Sequence, residues 1–231
     1  MNRFTTRIVA LIGLLTAEVV LSILLLLAAF GLFFYLARVV FVENSVALDQ
    51  WAWGIVDGWR HAAPGLMGPV RFVTTFAALP FLLPAGLVVP ALLFWRGHRR
   101  EAWEIVVAMA GGILLNQLLK TIFNRPRPSD ALLNTYGLSF PSGHAMMAVI
   151  FYGALAWLAA RHFRRPGWAV PLLLWAGLIG LTRVYLHVHY ATDVLAGFAG
   201  GLAWLVVVRA GLRFFWKEEK VLLEEGEVMR K

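Results

Sequence analysis

The chain has no cysteine and little charge. None of its 231 residues is Cys, and 15% are Asp, Glu, Lys or Arg, against roughly a quarter in soluble domains. The first absence excludes a disulfide framework, a thiolate nucleophile and a cysteine-bound metal, and it leaves the redox compartment unreadable. The second, with 60% hydrophobic residues and a mean hydropathy of +0.73, excludes an ordinary soluble domain. No asparagine opens an Asn-x-Ser/Thr acceptor, which favours a bacterial source. Internal repeats and low-complexity linkers are absent as well.

What is present is a series of apolar runs, each near the roughly 20 residues that cross a bilayer. They fall near 8–37, 72–95, 102–119, 144–160, 168–186 and 194–214. Lipid leaves an open chain only the helix to satisfy its backbone. The expected fold is therefore all-α, a polytopic six-transmembrane-helix bundle forming one integral-membrane domain over 1–231. The first run follows Arg3 and Arg7, exceeds a signal-peptide core and lacks a clear small-residue cleavage site, so it reads as a retained span. Between the first two runs Leu48, Trp51, Ile55 and Trp59 recur at helical spacing, with Asp49, Asp57 and Arg60 off that face. That pattern predicts a short helix in the outer interface. Pro80, Pro84 and Pro90 predict a kinked second span. Glu18, a carboxylate within the first span, fits either a functional group or a helix-pairing role near the interface. The tail 217–231 reads as a charged cytoplasmic helix.

The net charge of +8 admits nucleic acid, but the placement of the charges argues against it. Six spans put both termini on one side, together with "RGHRR" at 96–100 and "RHFRR" at 161–165. That side holds fourteen of the 21 Lys and Arg, which makes it cytoplasmic by the positive-inside rule. Seven remain outside, and four of those cluster in "KTIFNRPRP" and "TRVYLHVHYATD". Basic residues are disfavoured there, so another property selects for them.

"KTIFNRPRP" follows the third span, "FPSGH" precedes the fourth, and "TRVYLHVHYATD" joins the fifth to the sixth. The topology brings Lys120, Arg127, Ser142, His144, Arg183, His189 and Asp193 to one surface. Three cations converge best on a tetrahedral oxyanion, because guanidinium matches phosphate in a bidentate fork. "PSGH" reads as a helix start whose free N–H groups and dipole favour an anion, with Gly143 allowing close backbone approach. His189 and Asp193 are four apart, the spacing of neighbours on one helix face. A carboxylate that fixes one imidazole nitrogen leaves the other free as nucleophile or base. His144, from another helix, suits a general acid. Asn116, one turn before Lys120, can orient that lysine or pack. His187 falls on the other face and reads as a loop or interface residue. No metal and no cofactor is called for, and the expected partners are the bilayer and a lipid substrate, not nucleic acid. A haem or metal site on His144, His187 and His189 would be repelled by the three cations. An anion transporter would place its polar residues at mid-membrane, and a phosphatase for a soluble ester would not need interfacial tryptophans.

These residues resemble the signature of the type-2 phosphatidic acid phosphatase family: Lys-x6-Arg-Pro, then Pro-Ser-Gly-His, then Ser-Arg-x5-His-x3-Asp. The chain carries Lys120 with Arg127-Pro128, Pro141-Ser142-Gly143-His144, and Thr182-Arg183 with His189 and Asp193, in order within 120–193. Thr182 stands where serine is usual and keeps the hydroxyl. The resemblance implies metal-independent hydrolysis of a phosphate ester or anhydride, with His189 attacking phosphorus to give a phosphohistidine. It gives His144 the leaving-group proton and later the activation of water, and gives Lys120, Arg127, Arg183, Ser142 and the Gly143 amide the transferring phosphoryl group. Arg125 and Arg38 are candidates to assist. Undecaprenyl pyrophosphate and phosphatidylglycerophosphate, or related lipid phosphates, are the expected substrates, at the outer face of a bacterial plasma membrane.

Overall fold

The computed structural model describes residues 3–228, without the side chains of 3–16, His162, Phe214 and 217–228. The charged tail 217–231 and the N-terminal arginines thus lie outside the described side chains. Eight α-helices follow one another: α1 Arg3–Phe41, α2 Ala47–Ala62, α3 Met67–Thr74, α4 Leu79–Trp95, α5 Arg99–Phe123, α6 Gly143–Trp157, α7 Ala169–Tyr185 and α8 Ala191–Val228. No strand occurs among the described residues. Among the described residues five helices are long and apolar enough to span a membrane: Ala17–Phe41, Arg99–Phe123, Gly143–Arg161, Pro166–Tyr185 and Ala191–Arg213. A sixth span arises if the bent pair Pro64–Ala77 and Leu79–Trp95 counts as one. The chain is an integral membrane protein.

The bend in that pair is 43°, and it has a local cause. Ala78 leaves the helical region at ψ 151°, and Pro80 is the second residue of α4. A proline removes its own N–H and clashes with the carbonyl four residues earlier, so no α-helix runs from Phe76 through Pro80. Pro84 and Pro90 stay inside α4. The kink thus falls at the first of the three prolines, and it leaves Thr74 at the end of α3 pointing into the bundle, buried.

α6 is enclosed, walled by α5, α7 and α8. Small residues let α8 approach it closely. A Cβ on Gly197 would stand 2.6 Å from the Ser142 carbonyl oxygen, and one on Gly201 would stand 2.7 Å from that of Met146. This four-residue glycine spacing is the usual device for tight helix contact in lipid, and here it seats the start of α8 beneath the start of α6. Leu27, Phe34, Leu87 and Leu114 remain exposed on the outside of the bundle, where only acyl chains would tolerate them together.

The short helix after the first span is α2. Trp51 and Trp59 face outward, while Asp49 and Val56 are buried against the rest of the chain. At the opposite end of the bundle Glu18 pairs with Arg161 and, at 3.2 Å, with Arg213. Of the two roles open to it in the sequence, helix pairing is the one the structure exhibits.

Candidate active site

Three chain segments meet where α5 ends, α6 begins and α7 turns into α8. α5 stops at Asn124, which takes a left-handed φ of 44°, a conformation Asn tolerates better than most residues. The loop that follows folds back on itself, with the Ser139 amide donating to the Arg125 carbonyl at 2.8 Å. It then enters α6 through Ser142, whose hydroxyl accepts from the Ala145 amide as an N-cap. The Ser142 amide in turn donates to the Asp193 carbonyl at 2.9 Å, which locks the α6 entry to the α8 entry.

The third segment departs from the single-helix geometry that the spacing of His189 and Asp193 implies. α7 ends at Tyr185 and α8 starts at Ala191, so His189 lies in the intervening turn. Asp193 is the third residue of α8, and its carboxylate accepts the Tyr190 amide at 3.0 Å, the reach-back half of a capping box. The same carboxylate oxygen lies 3.3 Å from His189 Nδ1. Their proximity is therefore a product of helix capping and not of a shared helical face. His187 takes φ 51° and turns away. It stacks on Trp53 at 5.0 Å and contacts Asp57 at 2.9 Å, Asp130 at 2.5 Å and Arg60 at 2.9 Å, so it ties α2 to the two loops.

His189 is buried, 1% exposed. Its Nδ1 faces Asp193 Oδ2 and, at 3.3 Å, the Ser139 hydroxyl. Its Nε2 lies 3.2 Å from Arg127 Nη1. A guanidinium only donates, so Nε2 accepts and the ring proton sits on Nδ1. Burial pushes the imidazole down to about 4, with Arg183 and Arg127 adding to the fall and Asp193 opposing it. At neutral pH the ring is uncharged, with its Nε2 lone pair toward the cations.

Those cations are held mostly by carbonyls. Lys120 donates to the Leu138 carbonyl. Arg127 donates to the carbonyls of Gly137 at 3.1 Å and Val188 at 2.9 Å. Arg183 is buried and donates to the Thr74 hydroxyl at 2.7 Å, and its Nε has no hydrogen-bond partner among the described residues. A buried, unsatisfied guanidinium donor is costly, by about 1–3 kcal/mol or more, unless a ligand fills it. Arg183, Arg127 and Lys120 are the cationic neighbours of His144, and His189 is its titratable neighbour. Seven of the seven side chains singled out in the sequence, Lys120, Arg127, Ser142, His144, Arg183, His189 and Asp193, thus share one neighbourhood. Gly143 completes it at the start of α6.

Other residues stand apart from the roles open to them in the sequence. Asn116 donates to the Pro141 carbonyl at 3.4 Å and lies beneath Gly143, so it props the helix start and does not orient Lys120. The Thr182 hydroxyl bonds back to the Ile179 carbonyl. Arg38 pairs with Glu43 at 3.1 Å on an exposed surface. Arg125 is sandwiched between two carboxylates, Asp193 at 2.6 Å and Asp49 at 2.9 Å, and so has little to offer a phosphate. Ser139, Asp49 and Thr192 were not singled out by sequence. Ser139 donates to Asp193 Oδ2, and the Thr192 amide and hydroxyl donate to Asp49 at 2.8 and 3.0 Å. The sequence placed Asp49 only off the tryptophan face of α2.

The profile of the PAP2 superfamily matches residues 101–217. The chain is 33% identical over 156 residues to phosphatidylglycerophosphatase B of Bacillus subtilis, covering 63% of this chain and 75% of that protein. The chain belongs to the PAP2 superfamily. It is also 33% identical over 207 residues to a lipid A 1-phosphatase of Rhizobium etli, covering 74% of this chain and 84% of the relative. Its fold matches the crystal structure of a transmembrane PAP2-type phosphatidylglycerolphosphate phosphatase from Bacillus subtilis, with TM-score 0.69 and 29% identity over 80% of this chain and 94% of that one. The PAP2-matched segment includes all three polar clusters, whereas α1 to α4 precede it.

Proposed function

We propose that the protein is a membrane lipid phosphatase that hydrolyses a lipid phosphate or pyrophosphate through a phosphohistidine, without a metal. The observation that carries the reading is His189: a neutral imidazole held at Nδ1 by Asp193, with Nε2 3.2 Å from Arg127, in a cluster whose Lys120, Arg127 and Arg183 form no carboxylate ion pair among the described residues. The PAP2 relatives supply the substrate class, since those named above act on phosphatidylglycerophosphate and on lipid A.

In the first step Nε2 of His189 forms a bond to phosphorus as the bond to the leaving oxygen breaks, and His144 supplies that oxygen with a proton. In the second, His144 takes a proton from water, whose oxygen attacks phosphorus, and the N–P bond breaks to release inorganic phosphate. Lys120, Arg127, Arg183, the Ser142 hydroxyl and the Gly143 amide hold the phosphoryl oxygens, where positioning and electrostatics carry most of the catalysis. The chain acts as a single domain with its motif core at 120–193. Undecaprenyl pyrophosphate and phosphatidylglycerophosphate are the leading substrates. The basic-residue bias orients both termini to the cytoplasm of a bacterium and the site outward.

The test is a phosphate-release screen of the purified protein across lipid phosphates in EDTA, with rapid acid and base quenches of radiolabelled substrate. Activity survives chelation, vanadate inhibits, and an acid-labile, base-stable label forms. Activity lost in EDTA and restored by a divalent ion overturns the mechanism. For sidedness, a cysteine at Leu133 reacts with an impermeant reagent in intact spheroplasts and one at Gly97 does not; the reverse result places the site in the cytoplasm.

A further inference from the structure

Asp49 lies in α2, outside the residues matched to the PAP2 superfamily, and the mechanism above makes no use of it or of Arg125. We propose that Asp49 and Arg125 form a positioning relay that holds Asp193, and through it His189, so that α2 is a working part of the active site. The proposal rests on the reading of His189 as nucleophile.

The relay is built from fully committed atoms. Arg125 Nη2 donates to Asp49 Oδ2 at 2.9 Å, while Nη1 donates to Asp193 Oδ1 at 2.6 Å and to the Thr192 hydroxyl at 2.7 Å. The Thr192 hydroxyl donates in turn to Asp49 Oδ2 at 3.0 Å, and the Thr192 amide donates to Asp49 Oδ1 at 2.8 Å. The Tyr190 ring covers the guanidinium at 3.7 Å. Asp49 and Asp193 are 1% and 0% exposed and Arg125 is 8% exposed, so water cannot replace any partner.

This arrangement dictates what Asp193 can do. Arg125 occupies Oδ1, leaving Oδ2 to face Ser139, the Tyr190 amide and His189 Nδ1. The carboxylate cannot rotate without breaking the bonds to Arg125. Charge follows the same logic. Two carboxylates around one guanidinium leave one net negative charge beside the imidazole. When Nε2 bonds to phosphorus the ring becomes cationic, and that residual charge compensates it. With Asp193 alone, Arg125 would cancel the charge His189 needs. Asp49 therefore neutralises the arginine so that Asp193 remains an effective partner.

Asp49→Asn tests this, because it keeps the shape of the side chain and the acceptor for the Thr192 amide but removes the charge. The expected result is a fall in kcat of about 10- to 100-fold with KM changed less than about threefold, the split of a group that acts on the reaction and not on binding. Asp49→Glu restores part of kcat. Asp49→Asn added to Asp193→Asn costs no further activity, because both act through one chain of contacts. Arg125→Lys, whose single ammonium cannot bridge two carboxylates as a fork does, gives the same selective loss and serves if Asp49→Asn does not fold. The relay is overturned if Asp49→Asn keeps kcat within about twofold of wild type, or if its effect multiplies with that of Asp193→Asn. It is equally overturned if kcat falls only together with a comparable rise in KM and Asp49→Glu recovers nothing. Trapping separates the two levels. Wild-type enzyme that yields no phosphohistidine removes the nucleophile reading first. Wild-type enzyme that yields it, beside Asp49→Asn that forms it equally fast, removes the relay alone.

Discussion

At one end of α5 Glu104 meets Arg209 at 3.2 Å, while at the other Lys120, among the described residues, hydrogen-bonds to a backbone carbonyl and to no carboxylate. The two residues are sixteen apart, about 24 Å along the helix. The contrast extends across the bundle. At the Glu104 end Arg161 and Arg213 share Glu18, and Arg209 lies 3.6 Å over the face of Trp157. At the Lys120 end Lys120, Arg127 and Arg183 bond to carbonyls and one hydroxyl, and among the described residues none pairs with a carboxylate. Both ends collect arginines from distant parts of the chain, but only one has satisfied them. A buried cation without a counter-ion is expensive, so buried Arg183, with half-buried Lys120 and Arg127 beside it, stores affinity for an anion that is not part of the chain. Arg125 is the instructive exception. It sits at the second end yet follows the rule of the first, and its two carboxylates mark it as support for the site and not as a phosphate ligand.

The largest expected effect lies in the imidazoles of the unpaired end. His189→Ala lowers kcat on the order of 10⁴-fold or more and abolishes the phosphoenzyme label, since no neighbouring group replaces an attacking nitrogen. His144→Ala separates by substrate. A poor alkoxide leaving group suffers strongly, whereas an activated aryl phosphate needs no proton and still forms phosphoenzyme, which then accumulates because the second step lacks its base. Quench-flow trapping with both substrates reads this directly. Label retained in His189→Ala and absent in His144→Ala would mean that the two roles are exchanged.

Next come the cations, where the comparison itself is at stake. Arg183→Ala removes the buried guanidinium whose Nε lacks a partner, and kcat/KM falls by about 10²- to 10³-fold, the usual loss of one transition-state donor. Arg161→Ala, at the satisfied end, leaves kcat/KM within about twofold, since its ion pair is largely exposed. Comparable losses from the two substitutions would show that pairing does not distinguish the ends.

The seven clustered side chains were legible because their chemistry is written in residue type and topology. Cations, histidines and one carboxylate at three span ends leave few other uses in a chain this apolar. The spans were legible for the same reason, since 20 apolar residues in a row have one stable environment. Less was legible where geometry came from a turn. The fourfold spacing of His189 and Asp193 fits a helical face, and the two do meet, but through the capping carboxylate at the start of α8. Ser139 and Asp49 could not be found by pattern. A serine two residues before a proline and an aspartate on an amphipathic helix are common, and their value lies in partners 54 and 76 residues away. The second span's break was foreshadowed by its prolines, while its exact placement at Ala78 depended on Pro80 being first in line.

A smaller effect is expected on the pH dependence. His189 must be neutral to attack, and burial holds it at about 4 against the usual 6.5. With an aryl phosphate, after correction for the substrate's own titration, kcat/KM should not fall on this account between pH 7 and about 5. It then drops as pH falls through about 4. An acid limb centred near 6.5 would mean that the imidazole is solvated and the cations are not pressing on it. The stability contribution has the same sign. The folded pKa lies below the unfolded one, so the unfolded chain binds the extra proton between those values. Stability from His189 is therefore complete above about 6.5 and is lost as pH falls towards 4.

The smallest effect belongs to Glu18, and it is the sharpest check on the satisfied end. Glu18→Gln removes the shared partner of Arg161 and Arg213 without changing side-chain size. Those arginines are about half exposed, 53% and 49%, and the carboxylate is 28% exposed, so solvent screens the loss. Each such pair contributes roughly 0.2–1 kcal/mol. For a chain of this length 1 kcal/mol shifts the melting temperature by about 2–4 °C. A drop of about 1–8 °C is thus expected for the two pairs together in a detergent melt. Activity should stay within about twofold, because nothing links Glu18 to the phosphate site except helix packing. A kcat that collapses in Glu18→Gln while the melting temperature holds would show that the paired end is coupled to the chemistry. The two ends would then be parts of one device and not a staple and a site.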